Sequence, residues 1–581
     1  MMARFARYLL ALTLGSTALP TRAQTPAVPV APTQAVELAA TLPPLTHLTP
    51  RQVENVTALG QVWGFLKYFH PAVAAGQRDW DAELLRQLPA VLACRSPAAR
   101  SRLLSAWITR LGPVPPCSSC AAAPLRPVHQ PADLRWARDP KRFSAALRQQ
   151  LAFIEANRYQ GPYYYVTQKG STTYFPHEQA YAEPALPAPG LRLLGLIRYW
   201  NMFQYYFPYR YALDEEWSQV LPDLLPRFAQ ASTPLAYRHA ALALFARVHD
   251  GHARFYPPDP LLEAERGAYQ VAADVQFLEG EQAVVVRVRP DALVPPSPLE
   301  PGDVLTHWAG TPVADLVRQR LPETGGANRA AQLHTIALNL PYAATPTVAV
   351  QVVRAGRPLS LVVPARRVGP PPPASPADSA YCLLTPEIGY IDMLRIRWEQ
   401  VNPVMQAFAH TKGLVLDQRN YPNEVAMVLP RLLLTQPVAY ARFAERDSTY
   451  PGRFLQSVPD TLQPLRGVAP YTGRVVVLVN EVSRSRSEFT AMSFQATPHG
   501  TVLGSQTAGS DGNTTPITLP GGLKTLMTGL GVYYPDGGET QRVGIRIDVP
   551  VRPTIAGIRA GRDELVERAV ELINEPAHRP K

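Results

Sequence analysis

Hydrophobic positions near the C-terminal end of the chain come first as an unbroken run and then at helical spacing. Val475 to Val479 is apolar throughout, at the length of a buried strand, and Phe489 to Ala496 is an apolar helical stretch. Between them lies Asn480-Glu-Val-Ser483-Arg-Ser485-Arg-Ser487-Glu488, and beyond the helix His499-Gly-Thr-Val-Leu-Gly504 gives a second strand. The unit therefore reads β-α-β, with a parallel pair and a right-handed crossover. Ser485 falls between strand and helix, where the first free backbone N–H groups of the helix converge and would stabilise negative charge beside its hydroxyl. The same spacing spells a helix cap, with Ser483 or Ser485 bonding a first-turn amide and Glu488 answering the helix dipole, and taken alone it favours the cap.

A second pattern occurs twice. Leu59-Gly-Gln-Val-Trp63-Gly-Phe-Leu-Lys-Tyr-Phe69-His-Pro71 resembles Leu194-Gly-Leu-Ile-Arg-Tyr-Trp200-Asn-Met-Phe-Gln-Tyr-Tyr-Phe207-Pro208, with Trp63, Pro71 and Trp80 matching Trp200, Pro208 and Trp217 at an offset of 137 residues. In each copy Trp and the residues three, four and seven later share one helical face, and a proline ends the helix. Such aromatics are expected as core contacts between helices rather than as a ligand box. The first copy reads as a helical accessory domain and the second as the entrance to the region that carries the chemistry. From Tyr269 to Arg366 the period shortens to β-rich stretches such as Ala283 to Val288 and Val348 to Val353. Proline-rich segments, clearest in Gly369-Pro-Pro-Pro-Pro373, punctuate these parts as extended linkers.

Composition narrows the picture. The 581 residues imply several domains, and 46% hydrophobic content supports globular folding. Arg4 and Arg7, the apolar stretch Tyr8 to Leu19 and the small residues before Gln24 read as a secretory signal over 1–23, too short for a comfortable membrane span and with no cysteine following it to take a lipid. The expectation is an exported protein, periplasmic or secreted, without an integral membrane span. The net charge of +11 is dispersed, and no nucleic-acid module signature is present, which argues against a nucleic-acid partner. Export permits disulfides; Cys117-Ser-Ser-Cys120 reads as a structural bridge or as plain thiols, since it lacks a thioredoxin-like context and the further ligands that zinc requires.

Further elements follow in order: Ser505-Gln-Thr507-Ala-Gly509-Ser510-Asp-Gly512, Leu519-Pro-Gly-Gly522, Tyr534-Pro-Asp-Gly537, Gln541-Arg-Val-Gly544 and Gly561-Arg-Asp563. With Gly413-Leu-Val-Leu-Asp417-Gln-Arg419-Asn420 and Asp250-Gly-His252 upstream, this succession resembles the tail-specific, or carboxy-terminal processing, serine peptidases, on the tricorn-core-like branch, over roughly residues 190 to 575. The resemblance implies an α/β catalytic core of crotonase-like ββα type, with an inserted β-rich PDZ-like domain and an N-terminal helical domain. The expected division is signal 1–23, Pro-rich linker 24–48, helical domain 49–185, helical part of the peptidase region 190–262, PDZ-like domain 266–367, Pro-rich linker 368–378 and catalytic core 379–575.

It also implies roles. Many bacterial members activate the serine with a lysine about 25 residues later, where this chain has Ser510, and Lys524 belongs to a different part of the pattern. Tricorn-like members use a histidine from the earlier motif, which makes His252 the expected general base for Ser485. The third group is expected at Gln541, with Glu539 the nearest carboxylate. The oxyanion hole is expected from the Arg486 N–H and an amide beyond the Asp-x-Arg-x-Asn strand, where Tyr421-Pro422-Asn423-Glu424 replaces the family's glycines. No metal or cofactor is implied. The expected function is a serine endopeptidase acting on peptides or on unfolded, tail-bearing proteins. Its rivals are a catalytically impaired peptide-binding member and a serine hydrolase of non-peptide esters.

Overall fold

The computed structural model describes residues 33–42, 45, 47–290, 295–369 and 379–576. The expected signal segment and most of the Pro-rich linker 368–378 lie outside the described residues, whereas the expected linker 24–48 contains a helix, Thr33–Thr41, whose Ala35 and Ala39 pack into the helical core.

Both copies of the aromatic repeat fold as three helices. In the first these are α1 (Pro50–Phe69), α2 (Trp80–Leu92) and α3 (Pro97–Arg110); in the second, α4 (Pro189–Tyr206), α5 (Trp217–Gln230) and α6 (Pro234–Ala246). The 137-residue offset extends beyond the aromatic positions. Ser96 and Thr233 each cap a helix by accepting from the amides of Ala99 (3.2 Å) and Ala236 (3.0 Å), ahead of Pro97 and Pro234, whose missing N–H costs nothing at a helix start. Pro89 and Pro226 lie inside α2 and α5 at matching positions. Each copy is closed by a tryptophan clasp. The Trp63 and Trp80 indole N–H groups donate to each other's backbone carbonyls (2.7 and 3.0 Å), as do those of Trp200 and Trp217 (2.8 and 3.0 Å). The rings stack at 6.4 and 6.3 Å. All four indoles are buried, so each N–H needs such a partner. Equivalent positions also face one another across the copies, Gly60 against Ile197 and Gly64 against Asn201, as an approximate twofold relation between α1 and α4 produces.

The C-terminal region is a six-stranded sheet. Strands β1 (Tyr381–Thr385), β2 (Ile388–Asp392), β3 (Gly413–Asp417), β4 (Arg474–Val479), β5 (Gly500–Gly504) and the short Val549–Pro550 lie side by side in chain order. Only β1 and β2 pair antiparallel. Both faces are covered, which is why β4 reads as continuously apolar. Val475, Val477 and Val479 pack with Ala491 and Met492 of helix α7 (Arg486–Gln495), while Val476 and Leu478 face Leu565 and Ala569 of the C-terminal helix. A hairpin of β6 (Thr514–Leu519) and β7 (Leu523–Thr528) buries Ile517, Leu519, Leu523 and Met527 in the helical core, joining the repeat to the sheet region. Between the two regions, residues 269–367 form an eight-stranded sheet with its own apolar core. Among the described residues no helix is long and apolar enough to cross a membrane.

Candidate active site

Ser485 lies at the junction of β4 and α7, with φ +52 and ψ −118, a conformation that an L residue adopts only under local constraint. The constraint is visible: its N–H is held by the Ser510 carbonyl (3.0 Å) and by the Glu488 carboxylate (3.1 Å). Glu488 is fully buried and also accepts from the Thr507 hydroxyl (2.5 Å) and the Gly509 and Ser510 amides (2.7 and 2.9 Å). Burial raises its pKa and these hydrogen bonds oppose the rise. The three serines of the run are thereby told apart. Ser483 and Ser487 both donate to the Gln418 carbonyl (2.7 and 2.9 Å), whereas the Ser485 hydroxyl makes no cap hydrogen bond and lines a cavity of about 1040 Å³. Capping is left to Glu488, so the cap and nucleophile readings fall on different residues.

His252 lines the same cavity. Its turn follows α6, which stops at Ala246 rather than running on to His249; His249 instead takes φ +46. The imidazole Nδ1 lies 2.8 Å from the Thr528 hydroxyl and 3.3 Å from Asp250 Oδ1. The Thr528 hydroxyl donates to Asp250 Oδ1 (2.9 Å), so its oxygen is free to accept, and the proton belongs on Nδ1. That tautomer leaves Nε2 as the basic nitrogen. Asp250 is wholly buried and further accepts from the amides of His252 (3.0 Å) and Thr528 (2.7 Å). Burial pushes its pKa up, but the His252 and Thr528 interactions outweigh burial and hold it below the usual carboxylate value.

Ser510, the position at which a lysine is absent, ties the two segments together. Its carbonyl holds the Ser485 N–H, and its hydroxyl accepts the Gly251 N–H at 2.7 Å. A Cβ on residue 251 would lie 2.6 Å from that hydroxyl oxygen, so a side chain there would displace the Ser510 hydroxyl and break this bond. Lys524 is exposed on β7 and does not line the cavity.

Gln541 is buried, but it is not hydrogen-bonded to His252. Its Nε2 donates to the His249 carbonyl (3.1 Å), and Glu539 is engaged by the Tyr211 hydroxyl (2.8 and 3.0 Å). The carboxylate beside the imidazole is Asp250, two residues earlier in the same motif. The Asp-Gly-His element quoted for the resemblance already contained it, but its proximity to Nδ1 arises only through β7, some 276 residues away. Next to Ser485, the Arg486 N–H begins α7 without an acceptor among the described residues. In the loop after β3, Pro422 has no N–H and the Asn423 N–H donates to the Met393 carbonyl (3.1 Å), so neither offers a free amide. Asp417 and Arg419 form an ion pair (2.6 Å) extended to Asp563 (2.8 Å), outside this cavity. Cys117 and Cys120 are disulfide-bonded to each other.

Residues 387–551 match the family described as Peptidase family S41. No curated protein sequence matches the chain. Among solved structures, the chain is similar to mature CPAF complexed with lactacystin, at 13% identity over 66% of this chain and 98% of that one, with a TM-score of 0.52. It is also similar to the photosystem II D1 C-terminal processing protease (18% identity, 64% and 96% covered, TM-score 0.36). A third is a putative peptidase from Parabacteroides merdae (14%, 67% and 97%, 0.41). At 13% identity the likeness to mature CPAF is one of fold.

Proposed function

We propose that this chain, whose residues 387–551 match peptidase family S41, is a serine-type peptidase that cleaves peptides or unfolded proteins outside the cytoplasm, with Ser485 as nucleophile and His252 as general base. The observation that carries this reading is that a strained serine without a cap bond and a histidine whose tautomer is fixed line the same cavity. Ser485 Oγ attacks the scissile carbonyl carbon as its proton passes to His252 Nε2. The resulting imidazolium keeps Nδ1–H directed at Thr528 and Asp250, and the buried carboxylate balances the new charge. The tetrahedral oxygen is received by the Arg486 N–H. Collapse returns the proton from Nε2 to the leaving amine, and water then hydrolyses the acyl-enzyme by the same route.

In this reading Asp250 orients the imidazole directly, and Gln541 supports it indirectly by holding the His249 carbonyl. Tyr440, Phe443, Phe489 and Leu530 give the cavity an apolar wall for a substrate side chain. Residues 266–367 are proposed to act as a PDZ-like tail-binding domain and residues 49–185 as a helical accessory domain, with export directed by residues 1–23. The test is incubation of the mature protein and its Ser485→Ala variant with an unfolded protein substrate, followed by mass spectrometry. Cleavage by the parent and none by the folded variant is expected; equal cleavage by both would remove Ser485 from the mechanism.

A further inference from the structure

Two arginines flank the proposed catalytic pair. Arg484 immediately precedes Ser485, Arg254 follows His252 by two residues, and both line the same cavity. Neither guanidinium has a hydrogen-bond or ion-pair partner among the described residues, although each is partly buried. Elsewhere, buried arginines have partners, as Arg198 has in Asp81 (2.7 Å) and Arg192 in the Pro187, Phe228 and Ala229 carbonyls. Burial, and then the charge of Arg254, push Arg484 down to about 10, and burial also lowers Arg254. Two like charges are thus held close together in a partly desolvated cleft, where Asp250 attracts Arg254 and Glu488 attracts Arg484 by less than burial costs and neither carboxylate is hydrogen-bonded to them.

The other charged groups of the cavity do not supply the offset. Glu445 is paired with Arg126 (2.8 Å), and Glu424 is exposed and lies 3.9 Å from Arg486, which itself stacks over the Tyr421 ring. Asp511 is buried, and burial followed by the charge of Glu488 raises its pKa well above the usual carboxylate value, which favours its neutral form. A guanidinium with free N–H donors is suited to bidentate binding of a carboxylate.

We propose that Arg254 and Arg484 form a subsite for a carboxylate next to the scissile bond, so that the enzyme prefers acidic substrates. This rests on the reading of Ser485 and His252 as the catalytic pair. The carboxylate comes from an Asp or Glu side chain or from the free end of the peptide, and both present the same planar pair of oxygens.

The experiment uses the full chain carrying Ser485→Ala, so that binding is read without turnover. Three fluorescent peptides, built on a sequence that the parent protein cleaves in an unfolded substrate, differ only in their carboxylate: internal Glu with an amidated end, internal Gln with a free end, and internal Gln with an amidated end. Anisotropy is expected to show at least one carboxylate peptide binding about tenfold more tightly than the neutral one, and which one does so identifies the source. Arg254→Gln and Arg484→Gln, added separately, should each abolish the difference, whereas Arg254→Lys should retain part of it. Equal binding of all three peptides, or a preference that survives both substitutions, overturns the proposal. Ser485-dependent cleavage without acid preference would overturn this subsite and leave the proposed function standing. Acid preference in a protein with no Ser485-dependent cleavage would do the reverse.

Discussion

The two copies of the helical repeat end differently. The first leaves its third helix through Gly112-Pro113-Val114-Pro115 and the second through His249-Asp250-Gly251-His252, at the same 137-residue offset. Gly112 and His249 both turn the chain with positive φ, +98 and +46. Up to that residue the copies share helix caps, an interior proline and a tryptophan clasp. Beyond it, Pro113 and Pro115 are exposed and have no N–H to donate, whereas Asp250 and His252 are buried and hydrogen-bonded to β7. A scaffold that appears twice carries the candidate chemistry once, because four residues at the exit of one copy meet a hairpin that the other copy does not reach. The functional claim therefore belongs to those residues and their partners, and the helices position them.

The comparison breaks most sharply at its last position. His252→Ala is expected to lower kcat/KM on an unfolded protein substrate at least about 1000-fold, while Pro115→Ala, at the equivalent exposed position, should leave it within about twofold. Comparable losses would show that the exits do not differ in the way described. Asp250→Asn should reduce kcat about 100-fold or more, because the amide presents N–H groups to donors already committed to the carboxylate and no longer fixes the imidazole tautomer. Thr528→Val, which removes only the bridging hydroxyl, should cost about tenfold.

Stability should follow the shared part of the repeat instead. Trp80→Phe and Trp217→Phe each strip a buried carbonyl of its indole donor and are expected to lower unfolding free energy by about 2 kcal/mol each, with kcat unchanged while the protein is folded. Urea titrations of the two variants test whether the clasps are equivalent. The smallest effect concerns pH. The raised pKa of Asp511 means that the folded state holds its proton more tightly than the unfolded chain. Its contribution to stability is thus complete below pH about 4 and drains away as pH rises toward the folded value. Asp511→Asn should flatten stability against pH above about 4 relative to the parent, and an unchanged slope would mean that the buried carboxyl does not titrate as described.

Several of these features were legible along the chain. The continuous apolar run of β4 followed by a helical stretch located Ser485, and the Trp and Pro spacing exposed the repeat, because both are local periodicities. The cap alternative was resolved only by the structure, which assigns the Ser483 and Ser487 hydroxyls to the Gln418 carbonyl and capping to Glu488. Asp250 and Ser510 were visible but without assigned roles. The first acquires its role from Thr528 and the second from Gly251, across 278 and 259 residues. No local pattern encodes such contacts, since they depend on long-range packing such as that of the β6–β7 hairpin against the helical core. Gln541 was expected beside the imidazole from its place in the motif order, and the structure puts its amide on the neighbouring His249 carbonyl instead.

The central claim is that Ser485 is the activated hydroxyl of this chain and that the exit of the second helical copy activates it. The most direct measurement is the rate and position of labelling by a fluorophosphonate, read by mass spectrometry on the folded protein and on its Asp250→Asn variant. A single adduct on Ser485 is expected, formed about 100-fold more slowly in the variant. An adduct on Ser483 or Ser487, or labelling of Ser485 at the same rate in both proteins, would contradict it.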